Sequence, residues 1–289
     1  MKWVLLLLLI SCAAPGGPTG DEAIFNPLSL YTGTGNLDIE LVKSTDELYV
    51  YDGFTDTFKV ENMMPYDIYD LTISLYGIDQ RYWDFNPYSE NIYRIYGRNE
   101  DNGWIPGREL FSFDLTNRDM PQMYNSKSYE YGYALDFSSN TIFADADVCL
   151  GTVQYFTNDA STLSEACTVD TSISYSGQGS MVNVAGIDLD TKVHTAGELT
   201  ISGTLKNSGG GDILLIHNLK GKAGTQDLAC YFLDKQRSPT NIWDPTTHEE
   251  LKFVCDPILF NSQPFYTNVG FDFDYIYRLV KHTSVKVIR

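Results

Sequence analysis

Between Phe271 and Tyr277 the chain reads Phe-Asp-Phe-Asp-Tyr-Ile-Tyr, with an aromatic residue at every second position. Successive side chains of a strand point to opposite faces, so this alternation describes a half-buried β-strand and not a helix. The same period-two signal marks residues 37–42, 58–61, 71–75, 129–137, 141–148, 199–205, 213–216 and 283–288, with Gly, Asn, Asp and Pro between them. Only Thr162-Leu163-Ser164-Glu165 has the pattern of a helix capping box, and no helical periodicity follows it. The expected fold class is all-β.

The chain also repeats itself. Phe58-Lys59-Val60-Glu61-Asn62, followed by Asp70 to Gly77, matches Gly203-Thr204-Leu205-Lys206-Asn207, followed by Asp212 to Gly221. Further on, Tyr131-Gly132-Tyr133-Ala134-Leu135-Asp136-Phe137 matches Val269-Gly270-Phe271-Asp272-Phe273-Asp274-Tyr275. Two collinear matches point to duplication, and repeats decide architecture. Each half is expected to form a β-sandwich of about seven short strands in two sheets. The first is placed at residues 36–155 and the second at 178–289, with a polar linker at 156–177. In the strand at 141–148, Ile142, Ala144, Ala146 and Val148 share one face; taking that face as the core leaves Cys149 pointing outward.

At the N-terminus, Met1 and Lys2 precede Trp3 and the apolar run Val4 to Ile10, too short to span a bilayer but suited to a signal peptide. Leu9-Ile10-Ser11-Cys12 resembles the lipobox of prokaryotic lipoproteins. That resemblance implies a signal peptide at 1–11 and a lipid on the Cys12 thiol. Residues 12–35 then form the anchored N-terminus and a tether that begins Ala-Ala-Pro-Gly-Gly-Pro-Thr-Gly, a flexible composition.

A hydrophobic fraction of 43% over 289 residues is enough to bury two cores. The formal net charge of −18 disfavours nucleic acid as a partner, because phosphate binding depends on clustered Lys and Arg. Setting Cys12 aside leaves Cys149, Cys167, Cys230 and Cys255, an even number that fits two disulfides in an oxidising compartment. Of the three possible pairings, Cys149–Cys167 and Cys230–Cys255 are expected, since each pair is close in sequence and lies within or just after one half. Their spacing is too wide for a structural zinc ligand pair.

The aliphatic strand ending in Asn207, the run Ser208-Gly209-Gly210-Gly211-Asp212-Ile213 and the late alternating strand resemble the CARDB-like and related immunoglobulin-like domains of archaeal and bacterial surface proteins. With the lipobox, the layout resembles archaeal (or bacterial) surface lipoproteins carrying two such domains in tandem. The first half departs from the pattern, with Met63-Met64-Pro65-Tyr66 where the second has its glycines. The resemblance implies adhesion, envelope structure or assembly with other surface proteins, and brings no catalytic residue.

The residues themselves offer little chemistry. His194, His217, His248 and His282 are scattered, and no nucleophile elbow, phosphate loop or His-Glu-x-x-His stands in the chain. The pairs Asp145/Asp147, Asp188/Asp190 and Asp272/Asp274 could offer oxygens to Ca2+, but none lies in a full calcium loop. Alternate Asp residues on a solvated strand face are the simpler account, so no cofactor and no metal site are expected. Residues 76–104 are rich in aromatics, and Tyr82, Trp83 and Trp104 are expected to contribute to a partner-contact surface.

The expected function is therefore that of a non-enzymatic, lipid-anchored structural or adhesive protein on the outer face of the cell membrane or envelope. Its partners would be the membrane, through the lipid, and other envelope or surface proteins, with glycans as a further class of contact. Two alternatives stand beside it: a solute-binding lipoprotein of a transporter, and a secreted jelly-roll glycoside hydrolase with two carboxylates across a groove.

Overall fold

A computed structural model describes residues 33–121, 124–150, 167, 170–190, 198–259 and 265–289. The expected signal peptide, Cys12, most of the tether, His194 and most of the linker lie outside these residues. In chain order the strands are β1 (Gly33–Thr34), β2 (Leu37–Lys43), β3 (Glu47–Tyr49), β4 (Gly53–Asn62), β5 (Ile68–Tyr76), β6 (Trp83–Asn86), β7 (Ser89–Ile95), β8 (Gly107–Asn117), β9 (Ser126–Leu150) and β10 (Ser172–Ser174). They continue with β11 (Gln178–Ser180), β12 (Val182–Asp190), β13 (Glu198–Asn207), β14 (Asp212–Ala223), β15 (Gln226–Leu228), β16 (Cys230–Leu233), β17 (Pro239–Thr240), β18 (Lys252–Cys255), β19 (Ile258–Leu259) and β20 (Phe265–Ile288). The fold is all-β and is built from packed sheets, as the alternation requires.

One sheet runs through the whole molecule in the order β15-β14-β20-β9-β5-β7, with β3 added against β20. Two smaller sheets cover it, β2-β4-β8-β6 over one part and β10-β12-β13-β18-β16-β17 over the other, and β19 pairs with β13. The spine is the antiparallel ladder of β9 and β20, which pair from Phe265 with Leu150 to Ile288 with Ser126. At 25 and 24 residues, these strands trace roughly 80 Å of chain. The alternating segments 129–137 and 141–148 are thus parts of one strand, as are 271–277 and 283–288. The residues between them, Ser138 to Asn140 and Arg278 to His282, stay extended because they pair with the opposite strand.

This ladder gives each sandwich a strand segment from the other half of the sequence. Tyr129, Tyr131, Tyr133 and Leu135 of β9 are buried in the first unit, and so are Val285 and Val287 at the end of β20. There Phe58 of β4 meets Tyr133 at 4.4 Å and Phe113 of β8 meets it at 5.1 Å. In the second unit Phe271 and Phe273 of β20 are buried together with Phe143 of β9, and Phe271 contacts Phe253 of β18 at 4.7 Å. The halves placed at 36–155 and 178–289 keep their own covering sheets but share the central one.

The orientation expected for 141–148 is reversed at Ile142 and Ala144, while Val148 is buried as expected. Phe143 is buried, whereas Ile142 is 54% exposed and Ala144 is exposed. The aromatic ring fills the core better than the neighbouring aliphatics. Cys149 is buried rather than outward, beside a register shift between Thr267 and Val269 that brings Val148, Cys149 and Leu150 all inside. It is bonded to Cys167, and Cys230 is bonded to Cys255.

The duplication shows in one local device. Asn62 ends β4 and donates from Nδ2 to the Tyr66 carbonyl at 2.8 Å. Asn207 ends β13 and donates from Nδ2 to the Gly211 carbonyl, also at 2.8 Å. Each side chain closes the turn into the next strand four residues on, supplying the bond that the departing backbone cannot make. The turns differ in sequence, Met-Met-Pro-Tyr against Ser-Gly-Gly-Gly, yet the asparagine does the same work in both.

Where the units meet, polar groups are buried and paired. Thr141 Oγ1 donates to the Val182 carbonyl at 2.6 Å, Ser180 Oγ lies 2.8 Å from the Tyr275 hydroxyl, and Tyr66 donates to the Ile142 carbonyl at 2.9 Å. The described chain enters at this waist, since β1 pairs in parallel with β11.

Candidate contact surface

The three aromatics expected at a contact surface have different fates. Trp83 is 1% exposed; its ring stands edge-on to Tyr129 at 5.4 Å and to Phe54 at 5.9 Å. It is a core residue, because β6 turns it under the covering sheet. Tyr82, next to it, is half-buried. Trp104 lies in the turn between β7 and β8 with φ at 65°, and its carbonyl accepts from Arg98 Nε at 3.0 Å. Trp83 pairs with Asn117 and Trp104 precedes Gly107, so the two tryptophans lie at opposite ends of β8, roughly 30 Å apart.

Tyr82 belongs to a cation cage. The Lys127 ammonium sits 4.6 Å from the Tyr129 ring centroid, 5.6 Å from Tyr124 and 5.8 Å from Tyr82. Ring faces carry negative potential, so the three rings attract the ammonium. This cage is filled by the chain's own lysine.

The aromatic-rich segment does present an exposed surface, but through residues other than the three expected. Tyr88, Tyr93 and Tyr96 are 56%, 77% and 53% exposed. Tyr93 is carried by β7, the edge strand of the central sheet, with Tyr88 and Tyr96 at its two ends. Arg94 organises the group: its guanidinium carbon lies 4.4 Å from the Tyr96 ring centroid and 5.6 Å from that of Tyr69. Asp67 fixes the guanidinium, accepting from Arg94 Nε at 2.9 Å and from Nη2, and takes the Tyr69 hydroxyl at 3.1 Å. Its other oxygen accepts from the Gly97 amide at 2.7 Å. Burial first, and then the Asp67 charge, raise the Tyr69 hydroxyl above its usual value, so this tyrosine stays a donor. Tyr69 and Tyr93 meet edge-on at 6.4 Å. The result is an exposed patch of tyrosine, a side chain with few rotamers to lose on binding.

In the second unit a cleft of about 440 Å³ lies on the outer side of the covering sheet, lined by Asp188, Ser202, Thr204, Lys235, Glu250 and Lys252 among others. Asp188, Glu249 and Glu250 are exposed there, and Glu250 is paired with Lys252 at 2.8 Å. Of the Asp pairs, Asp272 and Asp274 face out of β20 together, and Asp274 accepts from Asn218 at 2.7 Å. Burial, then the Asp274 charge, push the Asp272 carboxyl up. Among the described residues no three His, Cys, Asp or Glu side chains gather at metal-binding distance. Among them, too, no helix is long and apolar enough to cross a membrane.

The sequence matches no family model. It matches none of the curated proteins either. Among solved structures it is similar to the crystal structure of the class 5 fimbriae chaperone CfaA, at 12% identity over 81% of this chain and 84% of that one, with a TM-score of 0.17.

Proposed function

We propose that this chain is a lipid-anchored, non-catalytic structural or adhesive protein of the cell surface, and that it makes its protein or glycan contacts through the tyrosine–arginine edge of β7. The observation that carries this reading is Tyr93, 77% exposed on an edge strand and backed by the Asp67–Arg94–Tyr69 group. Exposed tyrosines held this way lose little entropy on binding and contribute strongly at interfaces. The expected anchor at Cys12 fits the same reading. A tether leading into β1 would hold the molecule by its waist. Two disulfides fit an oxidising, extracellular setting.

The test is crosslinking capture from intact cells followed by mass spectrometry, with a glycan array run in parallel. Wild type is compared with Tyr93→Ala and Arg94→Ala, each first shown to melt like wild type. Loss of the same partner or glycan in both variants supports the reading, and identical capture by all three refutes it. Mass measurement of the mature N-terminus reports whether Cys12 carries lipid.

A further inference from the structure

The second unit serves as an internal control for a buried polar cluster in the first. Asp56 of β4 is fully buried, and its Oδ2 accepts from the Tyr131 hydroxyl at 2.7 Å and from the Tyr133 hydroxyl at 2.8 Å. Its Oδ1 is buried with no hydrogen-bond partner among the described groups. Aromatic rings close the site: Phe58 lies 4.4 Å from Tyr133, Phe54 lies 6.3 Å from Tyr131, and Phe113 pairs with Asp56 across the sheet. In the repeat that aligns Asn62 with Asn207 and Gly132 with Gly270, these three positions become Ile201, Val269 and Phe271. All three are buried in the second unit. The same architecture therefore closes over an apolar trio in the second unit. Burying a carboxyl group with one oxygen unpaired is costly when it is charged and much less so when it carries a proton.

The charged groups around Asp56 relieve it only in part. Lys43 of β2 is its partner across the β2–β4 ladder, but the lysine ammonium is taken by Asp46 at 3.0 Å and by the Ser284 carbonyl of β20. Asp46 adds a negative charge that opposes ionisation. The other facing groups are Tyr131 and Tyr133 of β9, with Thr283 of β20 bonded to Tyr131; β8 contributes the apolar Phe113.

We propose that Asp56, Tyr131 and Tyr133 form a proton-binding switch confined to the first unit, which holds that unit tightest in acid and loosens it as the pH rises, while the equivalent apolar site of the second unit does not respond. Burial outweighs the two hydroxyls and Lys43 and pushes the Asp56 carboxyl above its ordinary value. An acid whose folded value is raised contributes its full stability below the unfolded value, about 3.9 for Asp, and loses it as pH climbs through the folded value. Loosening here acts on β9 and on the end of β20, the strands that join the two units.

Hydrogen exchange read by mass spectrometry, peptide by peptide on the full chain, separates the units. Wild type, Asp56→Asn and the triple change Asp56→Ile, Tyr131→Val, Tyr133→Phe are compared at matched pH from about 4 to about 8. In wild type, protection over β4 and residues 129–137 should fall about tenfold or more relative to Asp56→Asn across that range, while β13 and β18 stay level. The triple variant should follow Asp56→Asn; if it does not fold, Asp56→Asn alone carries the comparison. Wild-type and Asp56→Asn protection running parallel across the range overturns the proposal. So does a wild-type pH response of equal size in both units.

Discussion

Ser138 and Ile276 lie opposite each other in the β9–β20 ladder, and in the repeat that aligns Gly132 with Gly270 each is the other's counterpart. When equivalent residues of two copies face each other in an antiparallel pair, the copies are related by a two-fold axis through that point. The sheet order agrees: β14 flanks β20 as β5 flanks β9, with β15 and β7 outermost. The chain is thus arranged as a dimer of its own halves, with the long strands exchanged across the axis. One consequence is that the sandwiches depend on each other.

Removing residues 281–289 tests that dependence. The deletion takes Val285 and Val287 out of the first unit's core, where they are 1% and 0% exposed, and leaves β3 without the strand it pairs with. The apolar loss alone should destabilise the first unit by about 4 kcal/mol. Hydrogen exchange should show protection lost over β4 and β8 while β13 and β14 keep theirs, although the deleted residues come from the other half of the sequence.

The two turn asparagines should differ in cost. Asn62 is fully buried and also accepts from the Met64 amide at 3.1 Å, so Asn62→Ala strands a backbone donor and an acceptor away from water. Asn207 is half-exposed, although the Tyr277 hydroxyl donates to it at 2.7 Å. Asn62→Ala should cost about 3 kcal/mol and Asn207→Ala about 1 kcal/mol in urea unfolding.

Two glycines lie beneath aromatic rings on neighbouring strands. Gly203 is the register partner of Phe253, and Gly132 that of Tyr76; a Cβ at either would overlap the ring. Phe253 is fully buried and has nowhere to go, whereas Tyr76 is half-exposed and can swing outward. Gly203→Ala should therefore cost about 2–3 kcal/mol and Gly132→Ala under about 1 kcal/mol, as read by thermal melting.

Glu61 supplies an acid-side test. Burial pushes its carboxyl up, but hydrogen bonds from Arg108 at 2.8 Å and contact with Lys59 at 3.3 Å outweigh that and hold it below its ordinary value. A depressed acid contributes stability that is present above the unfolded value, about 4.3 for Glu, and lost as pH falls through the folded value. Glu61→Gln should cost about 1 kcal/mol at neutral pH, and the gap between variant and wild type should close in acid. This is opposite in sign to the response expected of Asp56.

Much of this was written in the sequence. Alternation fixed the fold class, because only a strand places Phe271, Phe273 and Tyr275 on one side. The repeat sets Asn62 against Asn207, the two residues that close equivalent turns, and each disulfide joins cysteines close in sequence. What alternation cannot say is which face is covered, since it shows only that residues share one. That is why the Ile142 face of 141–148 reads as the core from sequence, whereas the covering sheet takes Phe143 and leaves Ile142 outside. Composition likewise gathered the aromatics at 76–104 without separating Trp83, buried under the covering sheet, from Tyr93, on the rim of the central one. The largest feature, the exchange of β9 and β20 between the units, depends on pairing residues more than a hundred positions apart, and no local pattern encodes that register.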